Sequence, residues 1–210
     1  MWRKAAVSAS FAAGALVVAL AVAGSAMAQN EPLRGFISPM GEPFRAPFSQ
    51  PYPAITWFNQ ADTNHDGKLS REEFRADAVR FFKLLDVNGD GKISDMEAMR
   101  YERQVAPEII AATVDTSGTQ RPTDPNDSEG LRNTPLSTIR QGAAAFSFLN
   151  DPEPVRSADT DFNNKTSLDE WMAAVDRKFR TLDPDETGYL TLATLPKTPA
   201  ELQKPEKPDK

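Results

Sequence analysis

Read on its own, the amino-acid sequence points to an all-α protein of helix–loop–helix repeats, arranged as two similar halves. Two observations carry this. Twelve-residue polar loops start at Asp62 and Asp86, and loops of the same kind start at Asp159 and Asp183; in each half the second start follows the first by 24 residues. Between the loops, apolar side chains recur at helical spacing. They are Phe74, Ala78, Phe81, Phe82 and Leu85 in the first half, and Leu168, Trp171, Met172, Val175, Phe179 and Leu182 in the second.

Residues 1–28 begin with Arg3 and Lys4, continue in an apolar run from Phe11 to Ala23 and close on Ala26-Met27-Ala28. That is the pattern of a signal peptide. A membrane-anchoring helix is the alternative, the run being only slightly short for one. Either way the rest of the chain is expected to be exported, periplasmic or secreted. Cleavage after Ala28 removes two basic residues and no acid, which takes the formal charge from −6 to −8. So acidic a chain is ill suited to nucleic acid or to an anionic membrane surface, and no stable membrane association is expected after cleavage. It suits cations. The chain has no cysteine, so disulfides cannot support a modest core, and bound metal is the obvious substitute.

Residues 29–53 hold Pro32, Pro39, Pro43, Pro47, Pro51 and Pro53 among Phe36, Phe44 and Phe48, which predicts a Pro-rich extended arm able to pack through its aromatics. Residues 54–105 read as helix, loop, helix, loop, helix. Residues 106–135 are rich in turn formers and read as an irregular linker. The segment 136–195 begins with an apolar stretch, "LSTIRQGAAAFSFL", expected to be helical at its start, and then repeats the loop pattern. The Lys/Pro-rich tail, 196–210, reads as disordered.

"DTNHDGKLSREE" and "DVNGDGKISDME" both fit D-x-[DN]-x-[DN]-G-x5-E. This resembles the EF-hand calcium loop, and the closely spaced pairs look like those of bacterial secreted EF-hand proteins. The resemblance covers 54–105 and 155–195. It implies Ca2+ held by side chains at the first, third and fifth places, a carbonyl at the seventh, the ninth directly or through water, and a bidentate Glu at the twelfth. Glycine at the sixth permits the bend. The implied ligands are Asp62, Asn64, Asp66, Lys68, Ser70 and Glu73 in the first loop, and Asp86, Asn88, Asp90, Lys92, Ser94 and Glu97 in the second. Leu69 and Ile93 stand at the eighth place, which forms a short β bridge to a partner loop.

The third loop offers Asp159, Asp161, Asn163, Lys165, Ser167 and Glu170, with Asn164 in place of the glycine and Thr166 at the eighth place. Pro152 and Pro154 deny it a regular helix on its approach. The fourth loop, from Asp183, is degenerate: Thr194 stands where the Glu belongs, which removes two oxygens and one charge. It is expected to serve as a structural partner. His65 is the only histidine and sits at the solvent-facing fourth place, without companions for catalysis or zinc.

From Arg71 to Leu85 one helix of 15 residues, about 22 Å long, leaves the first loop and enters the second. Loops held that far apart cannot bridge each other. The two halves, sharing loop-connecting helices, are therefore expected to pack stripe to stripe as one pseudo-twofold domain with minimal β bridges. Separate lobes, or an open chain that dimerises, are the alternatives, and which loops pair is left open. The implied function is an exported, non-enzymatic calcium-binding protein, with the ion stabilising the fold or being buffered. A calcium sensor exposing a groove for a protein partner is the alternative. A dockerin-like docking module is another, disfavoured by the Glu that closes three loops and by the helix ahead of the first.

Overall fold

In the computed structural model, residues 31–110, 112–115 and 139–202 are described. The expected signal peptide and most of the linker and tail lie outside them.

The expected arm is a β-hairpin. Strands β1 (Leu33–Ile37) and β2 (Pro43–Pro47) pair antiparallel, with Phe36 opposite Phe44. Pro43 and Pro47 sit at the ends of their strand, in a two-stranded ladder that tolerates residues without an N–H. Of the arm's aromatics, Phe36 is buried, Phe44 is partly buried against the core and Phe48 is exposed. The Phe36 ring lies 4.9 Å from that of Phe148 and 5.7 Å from that of Trp57, centroid to centroid.

Helix α1 (Pro53–Ala61) starts on a proline, whose missing N–H costs nothing there, and buries Ala54, Trp57, Phe58 and Ala61. Strand β3 (Leu69–Ser70) leads into α2 (Arg71–Leu85), which buries Phe74, Ala78, Phe81, Phe82 and Leu85. Strand β4 (Lys92–Ser94) precedes the short α3 (Asp95–Arg100), which runs on as a π-helical turn at Tyr101–Val105.

Within the expected linker lies β5 (Thr113–Asp115), which pairs with β6 (Ile139–Gln141). The helix expected at the start of 136–195 is absent among the described residues. A strand and a 3-10 turn, Gly142–Ala145, take its place. Gly142 turns the chain at a φ of 56°, a conformation that glycine adopts freely. The third loop is approached through a 3-10 turn, Arg156–Ala158, in keeping with the prolines before it.

Strand β7 (Lys165–Ser167) leads into α4 (Leu168–Leu182), and β8 (Tyr189–Leu190) follows the fourth loop. Helix α4 buries Trp171, Ala174, Val175, Lys178, Phe179 and Leu182. Leu168, placed in the stripe by its spacing, is the first residue of the helix and is 40 % exposed. Lys178 lies on the stripe instead, its ammonium donating to the Pro39 carbonyl and pairing with Asp151.

The tail is ordered further than its composition predicts. Helix α5 (Pro199–Leu202) follows a fully buried Thr198, whose hydroxyl meets that of Tyr52.

The two stripes meet. Phe74 packs on Phe179 at 5.4 Å and Phe82 on Trp171 at 5.7 Å between ring centroids, so α2 and α4 run antiparallel. Buried apolar residues from both halves form one cluster, in a single unit from Pro32 onward. Strand β3 pairs with β8 and β4 with β7, so the first loop bridges the fourth and the second bridges the third. Two helices and two bridges thereby link the four loops in a closed circuit. The fold is not all-α, because the hairpin and the β5–β6 pair add to the two loop bridges. No helix among the described residues is long and apolar enough to cross a membrane.

Candidate metal centres

All four loops bend in the same way. Their fourth and sixth places have left-handed backbone: His65 and Gly67, Gly89 and Gly91, Phe162 and Asn164, Glu186 and Gly188. In each, the first-place carboxylate accepts backbone N–H groups from the fifth and sixth places. Gly67, Gly91 and Asn164 donate to Asp62, Asp86 and Asp159 at 2.9 Å, and Gly188 to Asp183 at 2.8 Å. These bonds wrap the chain around its first ligand.

Third-place oxygens then accept from the fifth-place N–H: Asn64 from Asp66 and Asn88 from Asp90 at 2.9 Å, and Asp161 from Asn163 at 3.0 Å. Fifth-place oxygens accept from the seventh-place N–H, so Lys68, Lys92 and Lys165 donate to Asp66, Asp90 and Asn163.

The closing Glu of each of the first three loops has two duties. Glu73 is the third residue of α2. The Ser70 hydroxyl donates to its carboxylate at 2.8 Å, and its own N–H donates to Ser70 Oγ. Ser94 with Glu97 and Ser167 with Glu170 repeat this capping box, so the ninth and twelfth places also start a helix. The other carboxylate oxygen reaches back to the head of the loop. Thr63, Val87 and Thr160 donate their N–H to it at 3.1, 2.9 and 3.0 Å. The spacing Ser-x-x-Glu was there to be read as a cap as well as a ligand pair.

Partial burial would raise the carboxyls of Glu73 and Glu97, yet donors from Ser70, Asn64 and Thr63, and from Ser94, Val87 and Asn88, hold both below the usual carboxylate range. For Glu170 the Ser167 donors dominate, burial opposes them and Thr160 and Asp161 assist, which brings it down to about 2. All three are ionised at neutral pH.

Hydrogen bonds thus tie the first-, third-, fifth-, ninth- and twelfth-place side chains of each of the first three loops into one network, and among the described residues the third loop alone draws three acidic ligands into one tight group. Carboxylate oxygens of Asp159, Asp161 and Glu170 lie within 4.8 Å of one another. Several acids elsewhere are neutralised, as Asp176 is by Arg71 and Arg75, or Glu42 by Arg80. Among the described residues no lysine or arginine pairs with a carboxylate ligand of the first three loops. Clustered like charges without a countercharge, with amide and carbonyl oxygens beside them, suit a hard divalent cation.

The fourth loop shares the bend and lacks the closing carboxylate. After β8 the chain makes a turn instead of a helix. There the Thr191 N–H donates to Thr194 Oγ1 at 3.1 Å and the Thr194 N–H to Thr191 Oγ1 at 3.2 Å. His65 is exposed, as its place in the loop requires.

The EF-hand family model matches residues 54–76 and 78–98. Those segments hold the Asp62 and Asp86 loops, and the match supports an EF-hand, calcium-binding character for them. No match was found among curated proteins or among solved structures.

Proposed function

We propose that the chain is an exported, non-enzymatic calcium-binding protein in which the ion consolidates the fold. The observation that carries this reading is the set of carboxylates, without a basic partner, at the head of α2, α3 and α4. Each calcium-filled loop would join a helix start to the end of the preceding element through one ion. Asp62, Asn64, Asp66, Ser70 and Glu73, with the Lys68 carbonyl, hold the first ion. Asp86, Asn88, Asp90, Ser94 and Glu97, with the Lys92 carbonyl, hold the second. Asp159, Asp161, Asn163, Ser167 and Glu170, with the Lys165 carbonyl, hold the third. Export rests on the leader-like residues 1–28. The absence of catalysis rests on the loops having taken up the suggestively spaced carboxylates and on the solitary exposed His65.

A site at a hundred times its dissociation constant stabilises the fold by about 2.7 kcal/mol. For a domain of this size that is roughly 5–10 °C in melting temperature per filled site. Calorimetric calcium titration of the mature chain, with Glu73→Gln and Glu97→Gln variants, tests the reading. It expects two or three sites, one lost in each variant, and a melting temperature that falls on chelation. Absence of binding heat in the native chain refutes it.

A calcium sensor is the second reading. Val87 and Met96, 59 % and 78 % exposed within the Asp86 loop, favour it. A calcium-dependent rise in the fluorescence of a dye for apolar surface supports that reading, and an unchanged signal dismisses it.

A further inference from the structure

Thr187 stands at the fifth place of the Asp183 loop, where the others carry Asp66, Asp90 and Asn163. Its hydroxyl lies 2.8 Å from Asp183 Oδ1 and 2.8 Å from the Tyr189 carbonyl, and its one proton can serve either acceptor. Those acceptors are the first- and seventh-place groups, the ones an ion would otherwise draw together. Carboxylates such as Asp66 and Asp90 have no hydrogen to do this. At the far end, Thr191 and Thr194 reproduce the reciprocal cap without a charge. The fourth loop thus gives its first- and seventh-place oxygens a donor from within, while Asp185 at the third place has none among the described residues.

This self-closed loop lies directly against the Asp62 loop. Leu69 is opposite Leu190 and Ser70 opposite Tyr189, with both leucines fully buried. The Lys68 ammonium sits 4.4 Å from the centroid of the Tyr189 ring, a cation–π contact. Lys68 is the residue whose carbonyl is the seventh-place donor of the Asp62 site. The second bridge is built differently, because Ile93 faces Thr166 and both of its loops carry a full set of acidic ligands.

We propose that the Asp183 loop is a calcium-independent template for the Asp62 site, with Tyr189 as the residue that positions Lys68. The Asp62 site then fills without waiting for another ion, whereas the Asp86 and Asp159 sites, each the other's bridge partner, fill as a coupled pair. The inference rests on the calcium-binding reading above and goes beyond it by assigning an order and a cause.

The test is a calcium chloride titration of the full mature chain, followed by the amide signals of Gly67, Gly91 and Gly188. Tyr189→Leu keeps the bridge and removes the ring face. It is expected to raise the Gly67 midpoint by about two- to fivefold, the worth of an exposed cation–π contact, and to leave the Gly91 midpoint in place. Thr187→Val, which opens the fourth loop, moves Gly67 in the same direction. Glu170→Gln raises the Gly91 midpoint and spares Gly67. A Gly67 midpoint that is unchanged in Tyr189→Leu overturns the proposal, even where Thr187→Val fails to fold. So does a separate calcium transition at Gly188, or a Gly67 midpoint that moves with Glu170→Gln as far as that of Gly91. Silence of every glycine overturns the calcium reading itself.

Discussion

The indole N–H of Trp171 donates to the backbone carbonyl of Ala78 at 3.0 Å, and neither residue is reached by solvent. One side chain thereby joins the second half of the molecule to the middle of α2. Trp171→Phe keeps most of the volume and loses the bond, for an expected cost of about 1–2 kcal/mol. Trp171→Ala also opens a cavity between Phe81 and Phe82 and should cost about 3–5 kcal/mol. Urea unfolding in calcium and in chelator checks both, and near-equal losses would show that the hydrogen bond carries the contact.

Asp176 on α4 accepts from Arg75 and Arg71 on α2. The Arg75 bond, opposed by burial and assisted by Arg71, holds its carboxyl below the usual value. A folded-state value below the unfolded one means that the stabilisation is present above the unfolded value and disappears as pH falls through the folded one. Arg75→Gln should therefore shift the acid-unfolding midpoint to higher pH while costing under about 1 kcal/mol at neutral pH, the two partners being partly solvated. Circular dichroism between about pH 2 and 5, in chelator, reads this. An unshifted midpoint would count against the pair.

Gly142 combines a positive φ with close quarters, because a β-carbon there would lie 2.4 Å from the Pro152 carbonyl oxygen. Gly89, also at positive φ, has open space around it. Alanine at 142 must displace backbone and is expected to cost at least about 2 kcal/mol, against roughly 1 kcal/mol of conformational strain at 89. Thermal unfolding of the two variants in chelator separates them.

Asn164 takes the sixth place of the third loop at a φ of 63°, where the first two loops have glycine. Asn164→Gly relieves the left-handed strain and is expected to tighten calcium at the Asp159 site by about two- to fivefold. Calorimetry would detect this, and a weaker site would mean that the asparagine side chain itself assists.

The loops could be read from sequence because they are local. Asp62 to Glu73 contains its own ligands, bend and cap, and a twelve-residue window shows them all. The α2 and α4 stripes could be read for the same reason, apart from Leu168, which lies at a helix start. Lys178 occupies a stripe position and is buried by partners on other segments, Pro39 and Asp151, that its own helix does not announce. The hairpin was hidden by its prolines. Pro43 and Pro47 speak against a strand in isolation and are harmless at the ends of a two-stranded ladder. Order in the tail depends on a contact between Thr198 and Tyr52, far apart in the chain. The pairing of loops was hidden in the same way, since Leu69 could have met either eighth-place residue of the other half, Thr166 or Leu190.

Each bridge in the circuit of loops takes one strand from either side of the linker, β3 and β4 from before it, β7 and β8 from after it. Severed within the linker, the chain would become two polypeptides, each left with a pair of orphan strands and a bare aromatic stripe. Neither could complete a single bridge alone, and two copies of the same piece would offer each other the wrong partners. What joins them in the intact molecule is complementarity between non-identical fragments, which makes the two halves a heterodimer written in one chain.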